Sequence, residues 1–246
     1  MSIKSKNKIR LFVNAVLEPS SRITLPEEAS HYLCNVMRLG AGEVIACFNN
    51  AAGEFDCRIE KAHKKQTEVL VLQQNRKYIP VPDIWVLFAP VKKDKTDFIV
   101  EKSVELGCRL LQPVITERTV VDKIRGERYQ AQAVEAAEQC RRVDLPEIAP
   151  AAPLAEILAH WDCGRTLFFM DEPGTGISAV RAFDERKGCP AALLVGPEGG
   201  FSPSELELLR SLPYARAVSL GPRILRAETA VAAALSVWQS VAGDWQ

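Results

Sequence analysis

The chain has 246 residues, 47% hydrophobic and 25% charged, with 31 basic side chains balancing 31 acidic ones. That composition is globular, holds apolar material for one large or two modest domains, and excludes a low-complexity or collagen-like chain. No apolar run approaches the ~18 residues that span a membrane.

The first 75 residues are predicted to be mainly β. Leu11–Val16 is a short apolar strand, and the spacing over Glu27–Leu39 predicts a helix that stops at Gly40. Val44–Phe48 and Phe55–Ile59 alternate apolar and polar residues around the turn Asn49–Gly53, and Thr67–Leu72 is a further β-rich run. Short strands with a single helix predict a small barrel over residues 1–75. Residues 76–81, inside a stretch that carries Pro80 and Pro82, are the expected linker. Residues 1–80 hold 12 Lys/Arg and 8 Asp/Glu, a net +4, which favours a polyanionic partner weakly; a solvated surface explains it as well.

Over residues 82–246 strands and helices alternate. Ile84–Ala89, Leu110–Ile115, Thr166–Met170, Leu193–Val195 and Ala217–Leu220 read as strands. Thr96–Leu106, Arg128–Arg142, Ser204–Leu212 and Thr229–Val241 read as helices. The alternation predicts an α/β domain with a largely parallel sheet. Ser202, Pro203 and Glu205 form a capping box with proline at the first helical position, which fixes one helix start.

Two loops at strand ends carry the chemistry. Gly196-Pro197-Glu198-Gly199-Gly200 lacks both the Walker lysine and the GxGxxG spacing, so it is neither a P-loop nor a dinucleotide fingerprint. Its glycines permit close backbone approach to a ligand, or simply make a turn. The second loop, LGPRILRAET at 220–229, sets Arg226 and Glu228 at a helix start. The helix dipole disfavours an arginine there, which hints at a task such as gripping phosphate or a developing anion; a surface ion pair with Glu228 is the plain alternative. Glu138, Cys140, Arg141 and Arg142 end a helix, where cations are favoured anyway. Lys93, Lys95, Lys102 and Glu105 share a helix whose charged face solvation alone explains. Arg10, His31 and Arg38 are candidates for phosphate contact, against a bland surface role.

The seven cysteines are scattered and only three histidines exist, so CxxC spacing is absent and a zinc cluster is not expected. An odd set of separated thiols points to a reduced, cytoplasmic protein. The N-terminal MSIKSKNKIR has no apolar stretch behind it and is not a secretory signal.

Taken in order, RLFV (10–13), HYLCNVMRLGAGEVI (31–45), KKDKTDFIVEKSVELG (92–107), EQCRR with PEI (138–148), LLVGPEGGFSPSE (193–205) and LGPRILRAETA (220–230) resemble the bacterial 16S rRNA (uracil-N3)-methyltransferase family, RsmE, of the SPOUT class. The resemblance covers nearly the whole chain. It implies a PUA-like RNA-binding domain followed by a SPOUT methyltransferase domain with a deep trefoil knot. It implies a homodimer, without metal or membrane, that uses S-adenosyl-L-methionine to methylate N3 of a uridine in 16S rRNA of the small ribosomal subunit. By that likeness Met170, Gly196, Pro197, Glu198, Gly199, Leu220, Gly221 and Leu225 surround the cofactor. Arg226 and Arg142 would stabilise the uracil anion, with Glu138, Glu198 or Glu228 as candidate base, or deprotonation resting on electrostatics alone. Arg141 stands where the family has a glycine, as does Asn50. A related RNA methyltransferase with another target nucleotide, or a non-catalytic RNA-binding protein of ribosome assembly, remains open.

Overall fold

A computed structural model describes residues 9–120, 124–171 and 176–245. The chain divides into two compact units: one holds the residues up to Pro80 together with Ala137–Leu145, the other Val81–Ala136 and Pro146 onward.

In the first unit, β1 (Arg10–Phe12), β2 (Arg22–Thr24), β3 (Val44–Asn49), β4 (Gly53–Lys61) and β5 (Glu68–Arg76) form one sheet in the order β1-β3-β4-β5-β2. Only β1 runs parallel to its neighbour, pairing Arg10 with Ala46. Among the described residues the sheet follows an open, half-barrel path with β1 and β2 at its edges, in keeping with the expected small barrel. Leu11, Leu33, Ile45, Cys47, Cys57, Ile59, Val69 and Val71 build its core. Residues 75 and 76, expected in or beside the linker, extend β5.

The predicted helix Glu27–Leu39 is shorter and changes pitch. α1 (Glu27–His31) passes into a π-helical turn, Tyr32–Val36. It ends at Arg38 rather than Gly40. Arg38 takes φ +57°, a left-handed helix stop, and the Leu39 N–H reaches back six positions to Leu33 O at 2.9 Å, one residue wider than the usual closure because the turn before it is π-helical.

Strand β3 is buried on both faces. One face meets the core; over the other, Phe48 lies under the Phe12 ring at 5.7 Å and the Arg10 guanidinium at 4.4 Å. Arg10 was expected to contact RNA. Its side chain is instead 8% exposed and bonded to Glu54 at 2.7 Å. Its remaining donors reach the carbonyls of Ala137, Glu138 and Arg142 at 2.7–2.9 Å. A buried charge needs such partners, and carbonyls at a helix C-terminus suit a cation. Around it, the Phe12 N–H donates to Glu138 Oε1 at 3.0 Å. Asn50 bonds Leu145 in both directions, and Arg76 donates to Arg141 O. The last turn of α3 (Gly126–Cys140) and the chain to Leu145 are thereby part of this unit. The helix stops at Arg141, whose φ of +63° is the conformation a glycine would take without strain.

The second unit is an eight-stranded parallel sheet. Its strands are β6 (Ile84–Phe88), β7 (Leu110–Ile115), β8 (Glu147–Ile148), β9 (Ala152–Pro153), β10 (Thr166–Met170), β11 (Ile177–Ser178), β12 (Ala191–Val195) and β13 (Ala215–Ser219). The order is β11-β13-β10-β12-β6-β7-β8, with β9 on β7. β10 and β12 are buried along their whole length, as continuous apolar runs in covered parallel sheets are. The helices are α2 (Lys93–Glu105), most of α3, α4 (Leu154–Ala159), α5 (Ala179–Asp184), α6 (Pro203–Ser211) and α7 (Ala227–Val241). The capping box forms as expected: the Glu205 N–H donates to Ser202 Oγ, and the Ser202 N–H to Glu205 Oε2.

α7 is covered from within its own unit. Its apolar residues Ala230, Val231, Ala234, Leu235 and Trp238 are buried within this chain, packed among α2, α5 and the sheet. Its hydrophobicity therefore requires no second subunit to cover it. Among the described residues no helix is long and apolar enough to cross a membrane.

Arg10→Ala is expected to lower unfolding free energy by about 3–5 kcal/mol, because it leaves Glu54 and a helix end buried without their partner. Arg141→Gly is expected to be neutral or stabilising by up to about 1 kcal/mol. Urea titration followed by circular dichroism checks both.

Candidate functional site

Hydrogen-bond register brings three strand ends to one level. Met170 of β10 pairs with Val218 of β13, and Phe169 of β10 pairs with Leu194 of β12. Ligands of open α/β sheets bind outside the carboxyl ends of strands. Here the loops after β12 and β13 and the end of β10 enclose a cleft of about 550 Å³, a size in the range of small-molecule sites.

The structure brings together all eight residues expected around the cofactor. Met170 comes from β10; Gly196, Pro197, Glu198 and Gly199 from the loop after β12; Leu220, Gly221 and Leu225 from the loop after β13. Arg226 joins them as the N-cap of α7, exposed, without the ion pair to Glu228 that was its plain alternative. Glu138 and Arg142, expected beside it, line no part of this cleft. Both lie in the first unit. Arg142 is buried with its fork closed on Asp144 at 2.7 and 3.1 Å, and Glu138 holds the Phe12 amide. Of the expected RNA contacts, His31 and Arg38 are exposed on the first unit, whereas Arg10 is buried.

Sequence reasoning missed several lining residues. Lys95, near the start of α2, had a solvation reading only; its ammonium donates to Glu198 Oε1. Arg118, in the loop after β7, donates to Gly199 O at 2.7 Å. Nothing local in the sequence brings a residue from that loop to a position 81 residues away. The neighbouring Glu117 is tied to the same region: its N–H donates to Glu205 Oε1, and its carboxylate accepts from Ser204. Hydroxyl donors from Ser202 and Ser204 hold the Glu117 carboxyl below its usual range. Phe201, Leu206, Val218, Arg223 and Ile224 complete the wall.

The glycines of the first loop differ in what they answer to. A Cβ on Gly196 would come within 3.1 Å of the Phe201 ring, which would have to shift by a few tenths of an ångström to admit it. Gly200 carries φ +67°, so the backbone demands it. A Cβ on Gly199 would sit 3.6 Å from Arg118, an ordinary contact, so the fold does not require glycine there. Close approach of a ligand to that backbone does supply a reason. Apolar Met170, Val195, Val218 and Leu225 beside the polar loops suit a ligand with an apolar body and charged ends. Among the described residues no group of three His, Cys, Asp or Glu side chains could hold a metal ion.

Glu198 is held below the usual carboxylate range, first by the Lys95 hydrogen bond, then by the charges of Lys95, Lys92 and Arg226.

Comparison with known proteins adds the following. Residues 77–239 match the family described as RNA methyltransferase domain, and residues 25–72 that described as RNA methyltransferase PUA domain. A ribosomal RNA small subunit methyltransferase E of Rickettsia conorii is 30% identical over 92% of this chain and 93% of its own. A crystal structure of the same-named enzyme of Neisseria gonorrhoeae, bound to S-adenosyl methionine, is 28% identical. It superposes with a TM-score of 0.89 over 98% of this chain and 100% of that one. A Legionella pneumophila protein described as a methyltransferase and solved with SAM is 32% identical, with a TM-score of 0.87 over 97% and 100%.

Because its carboxylate is depressed, the Glu198–Lys95 pair is expected to be intact above the ordinary carboxylate pKa and to open as pH falls through the lowered value. Lys95→Met is expected to move the Glu198 titration upward, toward the ordinary value. NMR titration of the side-chain carboxyl checks the direction.

Proposed function

Because the chain belongs to the RNA methyltransferase family whose members include ribosomal RNA small subunit methyltransferase E, we propose that it methylates N3 of an unpaired uridine in 16S rRNA of the small ribosomal subunit. The donor is S-adenosylmethionine. One observation carries this reading. The cleft at the carboxyl edge of β10, β12 and β13 holds an exposed arginine at the N-cap of α7, Arg226, whose side chain makes no hydrogen bond or ion pair among the described residues. It stands beside a glycine that the fold itself does not require.

When bound, the cofactor supplies an electrophilic methyl group on sulfur, so no metal is needed. The residues we assign to hold it are Met170, Leu220 and Leu225 on the apolar side and the backbone of Gly196–Gly199 on the polar side, all of which line the cleft. Arg226 acts on the other reactant. N3 of uracil is a poor nucleophile until its proton leaves, and the resulting anion spreads onto two carbonyl oxygens that a guanidinium fork can bind. Among the carboxylates considered as base, Glu198 is engaged by Lys95 and Glu138 by the Phe12 amide. Glu228 has a buried Oε2 without a hydrogen-bond partner among the described residues, but it does not line the cleft. The proton therefore leaves to water under the pull of Arg226. N3 lies on the base-pairing edge, so the target is unpaired or flipped out. His31 and Arg38 of the first unit are proposed to grip RNA phosphate.

We also propose for the second unit the trefoil knot of its class. Two features support it: β12 lies between the earlier strands β10 and β6, and the chain beyond β13 returns to pack α7 over β12 and β6. A cytoplasmic homodimer completes the reading. The outward flank of α7, with Ala232, Ala233 and Val237 half-buried, is a surface of small apolar side chains that a second copy could cover.

Small subunits from a strain lacking the enzyme, incubated with protein and S-adenosylmethionine, are expected to gain one N3-methyluridine, mapped by mass spectrometry. Methylation of another atom or base would refute the assignment. Arg226→Ala is expected to lower the single-turnover rate about 10²-fold, as loss of one oxyanion donor does, with calorimetric cofactor affinity nearly kept. Sedimentation velocity at micromolar protein is expected to give a dimer; a monomer would rule that element out.

A further inference from the structure

The cleft gathers four cations, Lys95, Arg118, Arg223 and Arg226, in a stretch that is otherwise acidic: residues 81–246 hold 19 Lys/Arg and 23 Asp/Glu, net −4. Among the described residues neither of its two acids makes an ion pair with these arginines, although the charge of Arg226 acts on Glu198. Glu198 is engaged by Lys95, and Asp171 is paired with Arg210 at 3.0 Å. Arg118 commits one N–H to Gly199 O, which leaves most of its donors uncommitted. Arg223 is exposed and makes no hydrogen bond or ion pair among the described residues. Beside it Ile224 is 80% exposed, an apolar side chain held in water at the cleft wall.

The charge of Arg226 acts on Glu198 and that of Arg118 on Glu117, but among the described residues none of the three arginines makes an ion pair, and three like charges lining one cavity favour an added anion. The cofactor brings a single carboxylate, and Arg226 serves the base. The remaining positive charge calls for further anions, and the guanidinium fork matches phosphate. We propose that Arg223 and Arg118 bind phosphates flanking the target uridine, with Ile224 against the face of an unpaired base. The methyltransferase unit then holds the RNA strand itself rather than leaving that task to His31 and Arg38. This rests on the RNA methyltransferase reading above.

The test uses the full chain, a short fluorescent single-stranded RNA with one central uridine, and anisotropy titrations over a series of KCl concentrations. Each protein is also titrated with S-adenosylmethionine by calorimetry. Arg223→Ala is expected to weaken RNA binding and to flatten the slope of log affinity against log salt by about 0.7, the loss of one single-strand phosphate contact. Arg223→Lys, which keeps the charge, is expected to restore the slope. Arg118→Ala is expected to flatten it by the same amount. A full slope in Arg223→Ala would overturn the proposal. Loss of cofactor affinity in Arg118→Ala with an unchanged RNA slope would overturn it for Arg118, giving that residue to the cofactor's carboxylate instead. Failure of the unsubstituted protein to bind S-adenosylmethionine would sink the methyltransferase reading, while the RNA slopes would still report on the arginines.

Discussion

The parallel hydrogen-bond ladder through β12, β10 and β13 sets every distance in the candidate site. Because Met170 stands level with Val218 and Phe169 with Leu194, the loops after β12 and β13 leave the sheet beside the end of β10, and each turns to join the next helix. Turning tightly beside two neighbours is what concentrates glycine there and what opens a cavity between the loops. Arginine reaches that cavity from a helix start, where only a partner anion offsets the dipole. The sheet supplies rigidity and the loops supply chemistry, as elsewhere among α/β folds.

The loop after β12 does not stand alone. Glu205 uses one carboxylate oxygen for the Ser202 amide and the other for the Glu117 amide, so the start of α6 and the loop after β7 share a single buried acid. Arg118 then closes the assembly on Gly199. Preorganisation of this kind lowers the cost of ordering a loop around a ligand. It also means that a change in the β7 loop is felt in the cleft although few of its residues touch the cavity.

What the sequence made legible was local. The capping box, the strand–turn–helix alternation and the two glycine-bearing loops each depend on residues within a few positions of one another, and each was found where it was expected. What escaped depends on distant partners. Arg10 reads as a surface cation until Glu54, Ala137, Glu138 and Arg142 surround it. Lys95 reads as solvated until Glu198, 103 residues away, receives it. Helix ends misled for a different reason. Arg38 and Arg141 take left-handed backbone that a reader of sequence assigns to glycine, so the stop was placed at Gly40.

The discontinuity of the first unit has a consequence for synthesis. Its sheet is finished by residue 76, but the carbonyls that Arg10 holds belong to residues 137, 138 and 142. During translation that guanidinium and the outer face of β3 wait, uncovered, while roughly 60 further residues emerge, several seconds at ordinary elongation rates. The half-barrel can collapse early on its own core, yet its last polar cluster closes only after much of the next unit has left the ribosome. A nascent chain halted before Leu145 would carry a folded core and an unfinished surface, the kind of intermediate on which chaperones act.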